Sequence, residues 1–397
     1  MRDEVLGTGI YLDPQSPIPY PELMLFDIFC KVVDNFGDIG VCWRLARQLT
    51  AQQQGRVRLW VDDLRAFHCF APALDPDKPV QTLGLIEVCR WSDPFPVAEP
   101  AAVVIETFGC DVPESYVEAM AMQARPPVWI NLEYLSAEAW VEGCHRLPSP
   151  HPRFPLMRYF FFPGFTRETG GVMIEKGLAE RRDAFRNSTQ AIAKFLAGFG
   201  VRPPSEGERL ISLFCYPQVP VNRLLDILES GQTKVRVLTF EGTPGARALV
   251  DRGMASGGQR GALSVDVLPF LSQDDYDRVL WACDLSFVRG EDSFVRAQLA
   301  AQPLVWQAYP QADEAHRIKL DAFLARYDLG LDPAAKSLTG FWRAWNGLAP
   351  ADELAEGWNE MLKDLGPLTQ RARSWARTLE GNGDLAGNLA QFCSERV

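Results

Sequence analysis

Residues 31–49 read KVVDNFGDIGVCWRLARQL, with two carboxylates, Asp34 and Asp38, and two glycines, Gly37 and Gly40, between an apolar run and a helical pattern. Carboxylates in such a loop can accept a proton or orient a cationic group. A helix cap is the simpler account of Asp38, and the helix dipole favours its ionised form. A cap explains one carboxylate, not two. The loop is no dinucleotide fingerprint, because the three spaced glycines are missing and two carboxylates would repel a pyrophosphate.

A second loop lies in SFVRGEDSFVRAQLA, residues 286–300, where Arg289, Gly290, Glu291, Asp292 and Ser293 separate a strand from a helix. Helix N-terminal amides beside an arginine make an anion site, and Glu291 could accept hydrogen bonds from a ribose. A capped helix with a surface ion pair is the plainer alternative. In LPFLSQDDYDRVLWACD, Phe270 and Tyr276 flank Gln273. Aromatic faces plus one amide suit a flat base such as thymine, although aromatics at such turns are often core. Phe214 and Tyr216 in SLFCYP end another strand on the same expected side. The DPD at 75–77 has the form of a metal-binding DxD, but within ALDPDKPV a turn is the better reading. His145 reads as structural, and YFFFPGF as packing at a domain junction.

Short apolar runs must position these loops. LFDIFCKVV, RVRLWVDDL, IEVCRW, AAVVIETF and VWINLEYL read as strands, several apolar throughout, which predicts cover on both faces. VCWRLARQLTAQQ and PESYVEAMAMQ between them have helical spacing. The alternation breaks between about Pro148 and Pro204, where a charged helix, LAERRDAFRNSTQAIAKFLAGFG, is expected, and then restarts with RLISLFCY, KVRVLTFEG, LSVDVLPFL, DLSFV and PLVWQAY. This predicts two doubly wound α/β halves facing a cleft, with ligands at the carboxyl ends of the strands. The expected division is an N-terminal extension over 1–23, a first Rossmann-like domain over 24–185, a second over 186–365, and C-terminal helices over 366–397 that pack back on the first.

The 397 residues carry a net charge of −11, which argues against nucleic-acid binding and would steer a basic protein partner inward. Nine scattered cysteines without a CxxC pair read as reduced thiols of a cytoplasmic protein, and the four histidines lack metal-ligand spacing. The proline-rich first 23 residues read as a flexible extension rather than a signal peptide, and no run of 18 apolar residues predicts a membrane span.

FCKVVDNFGDIGVCWRLARQL, INLEYLSAEAWVEGCHRLPSPHP, YFFFPGFTRETGG and SFVRGEDSFVRAQ closely resemble the EarP family, the protein-arginine rhamnosyltransferases acting on elongation factor P. The resemblance runs from about Leu23 into the C-terminal helices. It implies the GT-B arrangement of two Rossmann-like domains. It implies inverting transfer of rhamnose from TDP-β-L-rhamnose to an arginine of elongation factor P, without metal or other cofactor. It further implies that Asp38 is the catalytic base, that Asp34 is also needed, and that the second half binds TDP. The donor-binding positions it implies are Tyr216, Phe270, Gln273 and Tyr276 near the nucleotide, then Arg289, Glu291, Asp292 and Ser293. The chain departs from the family at Tyr276, commonly phenylalanine, and at Gln307, where HIYPQ becomes QAYPQ.

A guanidinium is planar and cationic, so two carboxylates can hold it and take its proton as nitrogen attacks an anomeric carbon. Competing readings are another GT-B sugar-nucleotide enzyme, either an epimerase or a different transferase, and a non-catalytic acidic adaptor of a translation factor. A NAD-dependent dehydrogenase fits least, since no glycine fingerprint follows any strand.

Overall fold

The computed structural model describes residues 24–33, 36–53, 55–310, 315–327 and 334–397. The N-terminal extension and Asp34 lie outside the described residues.

The first half is built on eight strands: β1 Leu25–Cys30, β2 Arg56–Val61, β3 Val80–Leu83, β4 Ile86–Arg90, β5 Val103–Thr107, β6 Val128–Leu132, β7 Pro148–Pro150 and β8 Met157–Phe161, ordered β3-β4-β2-β1-β5-β6-β8-β7. The pairing is parallel except at the two edges, β3 on β4 and β7 on β8. The apolar strands are covered on both faces as expected. Phe26, Ile28 and Cys30 of β1 enter one core, and Phe29 enters the other. The polar exception in β1 is Asp27, fully buried, which takes both arms of Arg58 on neighbouring β2 at 2.6 and 2.5 Å.

The second half has β9 Arg209–Leu213, β10 Val235–Phe240, β11 Gln259–Arg260, β12 Leu263–Leu268, β13 Leu285–Arg289 and β14 Leu304–Gln307, ordered β11-β12-β10-β9-β13-β14. Only β11 runs antiparallel to its neighbour. Each half is therefore wound outward in one direction and then in the other. The order reverses between β1 and β5 in the first sheet and between β9 and β13 in the second. Crevices at such reversals, beyond the carboxyl ends of the strands, are where ligands bind.

The chain crosses between the halves twice. The expected long charged helix is two helices, Leu178–Arg186 and Thr189–Ala197, because Ser188 caps the second through Ala191 N. Leu178 already belongs to the second core, so the crossing precedes it. Helix Leu365–Gly381 stays with the second half through Leu368, Trp375 and Leu379, and only Leu385–Ser394 returns. There Leu385, Leu389 and Phe392 fill the first core beside the helix Gly37–Gln53. The two crossing segments run side by side at Val172 and Asp384, with Leu385 N donating to Val172 O at 2.9 Å.

Candidate active site

Both sheet reversals point into one cleft. β1 leads into the loop before Asp38, β5 into Phe108, β9 into Phe214 and Tyr216, and β13 into Arg289–Ser293.

The larger part of the cleft, about 540 Å³, brings together Tyr216, Phe270, Gln273, Tyr276, Arg289, Glu291, Asp292 and Ser293, all eight residues expected at the donor. The Arg289 guanidinium lies between the faces of Phe214 and Tyr216, 4.4 and 4.3 Å from their centroids. Two aromatic faces hold the cation in place, and no carboxylate among the described residues forms a salt bridge with it. Gln273 Nε2 donates to Gly40 O across the cleft at 2.9 Å, while its buried Oε1 has no hydrogen-bond partner among the described residues. Gln307 Oε1 accepts the Tyr216 amide at 2.7 Å and so fixes the strand end that carries the tyrosine.

Ser293 and Asp292, like Gln273, are engaged with the protein itself. The Ser293 hydroxyl accepts the Arg289 amide at 3.1 Å and donates to the Arg289 carbonyl, closing the loop. The Asp292 carboxylate takes Arg44 Nε at 2.8 Å. The helix Asp292–Leu299 begins with no side-chain cap, which leaves its first amides for an anion.

Asp38 lines a smaller adjoining pocket of about 280 Å³ with Tyr134, Phe108, Trp306, Tyr309 and Lys319. Gly37, Gly290 and Glu291 line both compartments. Asp38 is not the helix cap that its position suggested. It sits one residue inside the helix Gly37–Gln53, and its Oδ2 reaches back to accept the Val33 amide at 2.9 Å. Tyr134, stacked on Phe108, donates to Oδ1 at 3.3 Å. Glu291 accepts the Leu135 amide at 3.0 Å. Burial pushes its carboxyl up to about 8, against the Leu135 amide and with the help of Asp38.

Several lining residues were not singled out in the sequence. Tyr134 and Leu135 follow an ordinary strand. Phe36 and Phe70 of the first half meet Phe270 at 5.3 and 5.4 Å across the cleft. The loop Glu241–Pro244 opens the helix Pro244–Asp251, capped by Thr243. The EGTPG turn between strand and helix was its available signal. The remaining motifs are structural. DPD forms a turn in which Asp77 N donates to Asp75 Oδ1 at 3.0 Å. His145 Nδ1 accepts the Phe162 amide at 3.1 Å, and burial, then Arg146, pushes its pKa down to about 4. No group of three or more His, Cys, Asp or Glu among the described residues could hold a metal ion.

The profile described as elongation-factor P rhamnosyltransferase EarP matches residues 26–394. The protein-arginine rhamnosyltransferase of Pseudomonas putida is 51% identical over 327 residues, 81% of this chain and 86% of the relative. The chain belongs to the EarP family. The protein-arginine rhamnosyltransferase of Pseudomonas aeruginosa is 50% identical over 342 residues, 83% of this chain and 89% of the relative. A solved structure concerning EarP-mediated arginine glycosylation of translation elongation factor EF-P is 35% identical, with a TM-score of 0.66 over 94% of this chain and all of the other. A UGT transferase from Siraitia grosvenorii in complex with UDP, at 10% identity and TM-score 0.51 over 94% of this chain and 99% of the other, shares the fold alone. EarP enzymes are glycosyltransferases, and the two facing sheets are the GT-B arrangement.

Proposed function

We propose that this chain moves rhamnose from TDP-β-L-rhamnose to an arginine of elongation factor P, with inversion at the anomeric carbon. The observation that carries the mechanism is the pair of joined compartments, donor residues in one, Asp38 in the other, with Glu291 at their boundary. The thymine lies among Phe270, Phe214 and Tyr276, and Gln273 Oε1 accepts its imide N–H. Arg289 and the first amides of Asp292–Leu299 take the phosphates. This preorganised charge meets the leaving group, so no metal is required.

The acceptor guanidinium enters beside Asp38 and Tyr134. Its nitrogen attacks the anomeric carbon as the C–O bond to TDP breaks. TDP leaves with the bonding electrons, and Asp38 takes the proton. Tyr134 and the Val33 amide hold the base in line. The carboxyl of Glu291 is protonated below about pH 8, so it donates to a sugar or phosphate oxygen without repelling it. Asp34 assists Asp38 in gripping the guanidinium. The reaction takes place in the cytoplasm, the compartment that suits nine free cysteines, and no helix of the described residues is long and apolar enough to cross a membrane.

Intact-mass measurement of elongation factor P after incubation with the chain and TDP-rhamnose tests this. One added deoxyhexose is expected. Donor turnover without acceptor modification favours an epimerase or another transferase, and stoichiometric binding without turnover favours an adaptor.

A further inference from the structure

The helix Gly37–Gln53 carries Asp38 near its start and Arg44 six residues on. Arg44 is 2% exposed, yet its guanidinium is held entirely by carboxylates from outside the first sheet. Nε donates to Asp292 at 2.8 Å, Nη1 to Glu175 at 3.0 Å and Nη2 to Asp277 at 3.2 Å. Arg296 grips two of the same groups from the second half: Asp277 at 2.9 and 2.6 Å and Glu175 at 2.8 Å. Burial would raise the Glu175 carboxyl, but Arg296 and Arg44 together hold it down at about 2. Two arginines and three carboxylates form one desolvated cluster. Such a cluster tolerates little displacement, because a buried charge that loses its partner is strongly destabilising.

Arg44 is the member of this cluster that comes from the helix carrying Asp38, and Glu175 comes from the crossing segment between Met173 of the first core and Leu178 of the second. Asp292 directly follows Glu291, and the turn before them is set by Gly290 in the left-handed region at φ 62°. Arg44 therefore ties the helix that carries Asp38 to the loop that carries Arg289 and Glu291.

We propose that Arg44 is a positioning residue, which fixes the distance from Asp38 to the sugar end of the donor site by gripping Asp292 and Asp277 across the cleft. The inference rests on the proposed function. In a single displacement, misplacing the base by about 1 Å costs on the order of 100-fold in rate. Lysine at this position keeps the charge but is a point donor, unable to hold three carboxylates in a planar fork.

The test compares the unsubstituted chain with Arg44→Lys and Arg296→Lys. Arg296→Lys disturbs the same cluster from the second half, without removing a hydrogen bond to the helix that carries Asp38. Four quantities are read: thermal midpoint, TDP affinity, kcat and KM with elongation factor P, and the share of TDP-rhamnose lost to water. Arg44→Lys is expected to lower kcat about 100-fold, with TDP affinity and donor KM within about threefold, and to divert donor to hydrolysis. Arg296→Lys is expected to keep kcat within about fivefold at a similar loss of midpoint. If Arg44→Lys does not fold, Asp292→Asn takes its place with the same expected loss of kcat, since it removes the charge that Arg44 grips. Equal losses of kcat in both halves of the comparison, or losses that follow the midpoint alone, overturn the inference and leave the proposed function standing. Absence of transfer by the unsubstituted chain overturns both.

Discussion

Asp38 is buried, held by an amide and a phenol, and opens onto a pocket large enough for a planar cation. Asp38→Asn keeps that shape and removes the base. Transfer should fall about 10²–10⁴-fold while TDP affinity, read by calorimetry, stays nearly unchanged. Arg289→Ala should cost about 1–3 kcal/mol of TDP affinity in the same assay, as for a hydrogen bond to a charged group. Glu291 gives a pH signature. Its carboxyl is raised from 4.5 to about 8 in the folded chain, so the folded state holds a proton that the unfolded state releases. Its contribution to stability is complete below pH 4.5 and is lost as pH rises through about 8. Glu291→Gln should therefore gain thermal midpoint relative to the parent as pH rises across that interval. A constant difference at all pH values would contradict the protonated carboxyl. Residue types and spacing singled out Asp38, Arg289 and Glu291, and all three line the cleft. Arg44 and Tyr134 were not legible, because each gains its role from a partner on a distant segment: Asp277 and Asp292 for one, Asp38 for the other.

The strands were the plainest elements to read, because runs such as LFDIFC and VVIET are apolar enough to demand cover on both faces. The alternation also predicted the two wound halves, whereas the strand order, and with it the place of each reversal, is seen in the structure alone. Less legible was which surface each C-terminal helix covers. An amphipathic pattern announces a buried face without naming the partner. Leu365–Gly381 and Leu385–Ser394 follow each other directly and yet serve different cores. The short break at 382–384 decides it, since Asp384 both pairs alongside Val172 and caps the last helix through Gly387 N. Leu389 is fully buried between that helix and Gly37–Gln53. Leu389→Ala should cost about 2–5 kcal/mol in denaturant unfolding. Because the last helix braces the helix that carries Asp38, the loss should appear in the first half. Hydrogen exchange in β1 should rise more than in β9, and equal rises in both would contradict a helix dedicated to the first core.

At the scale of the whole molecule, the cleft separates two tasks. In the proposed reaction the second half presents aromatic faces, Arg289 and helix amides to the nucleotide, and the first presents Asp38 to the cation; Arg289 lines one compartment and Asp38 the other. With the leaving charge met by protein groups, the rate should be unchanged by EDTA, and a loss restored by magnesium or manganese would contradict that assignment. In the proposed reaction the first half reads a guanidinium. The most direct test is the initial rate of rhamnosyl transfer to elongation factor P and to its variant with the acceptor arginine replaced by lysine. Lysine keeps the positive charge and loses the planar fork that carboxylates grip. Transfer is expected to the arginine protein, with no product on the lysine variant. Comparable rates on the two would contradict that reading.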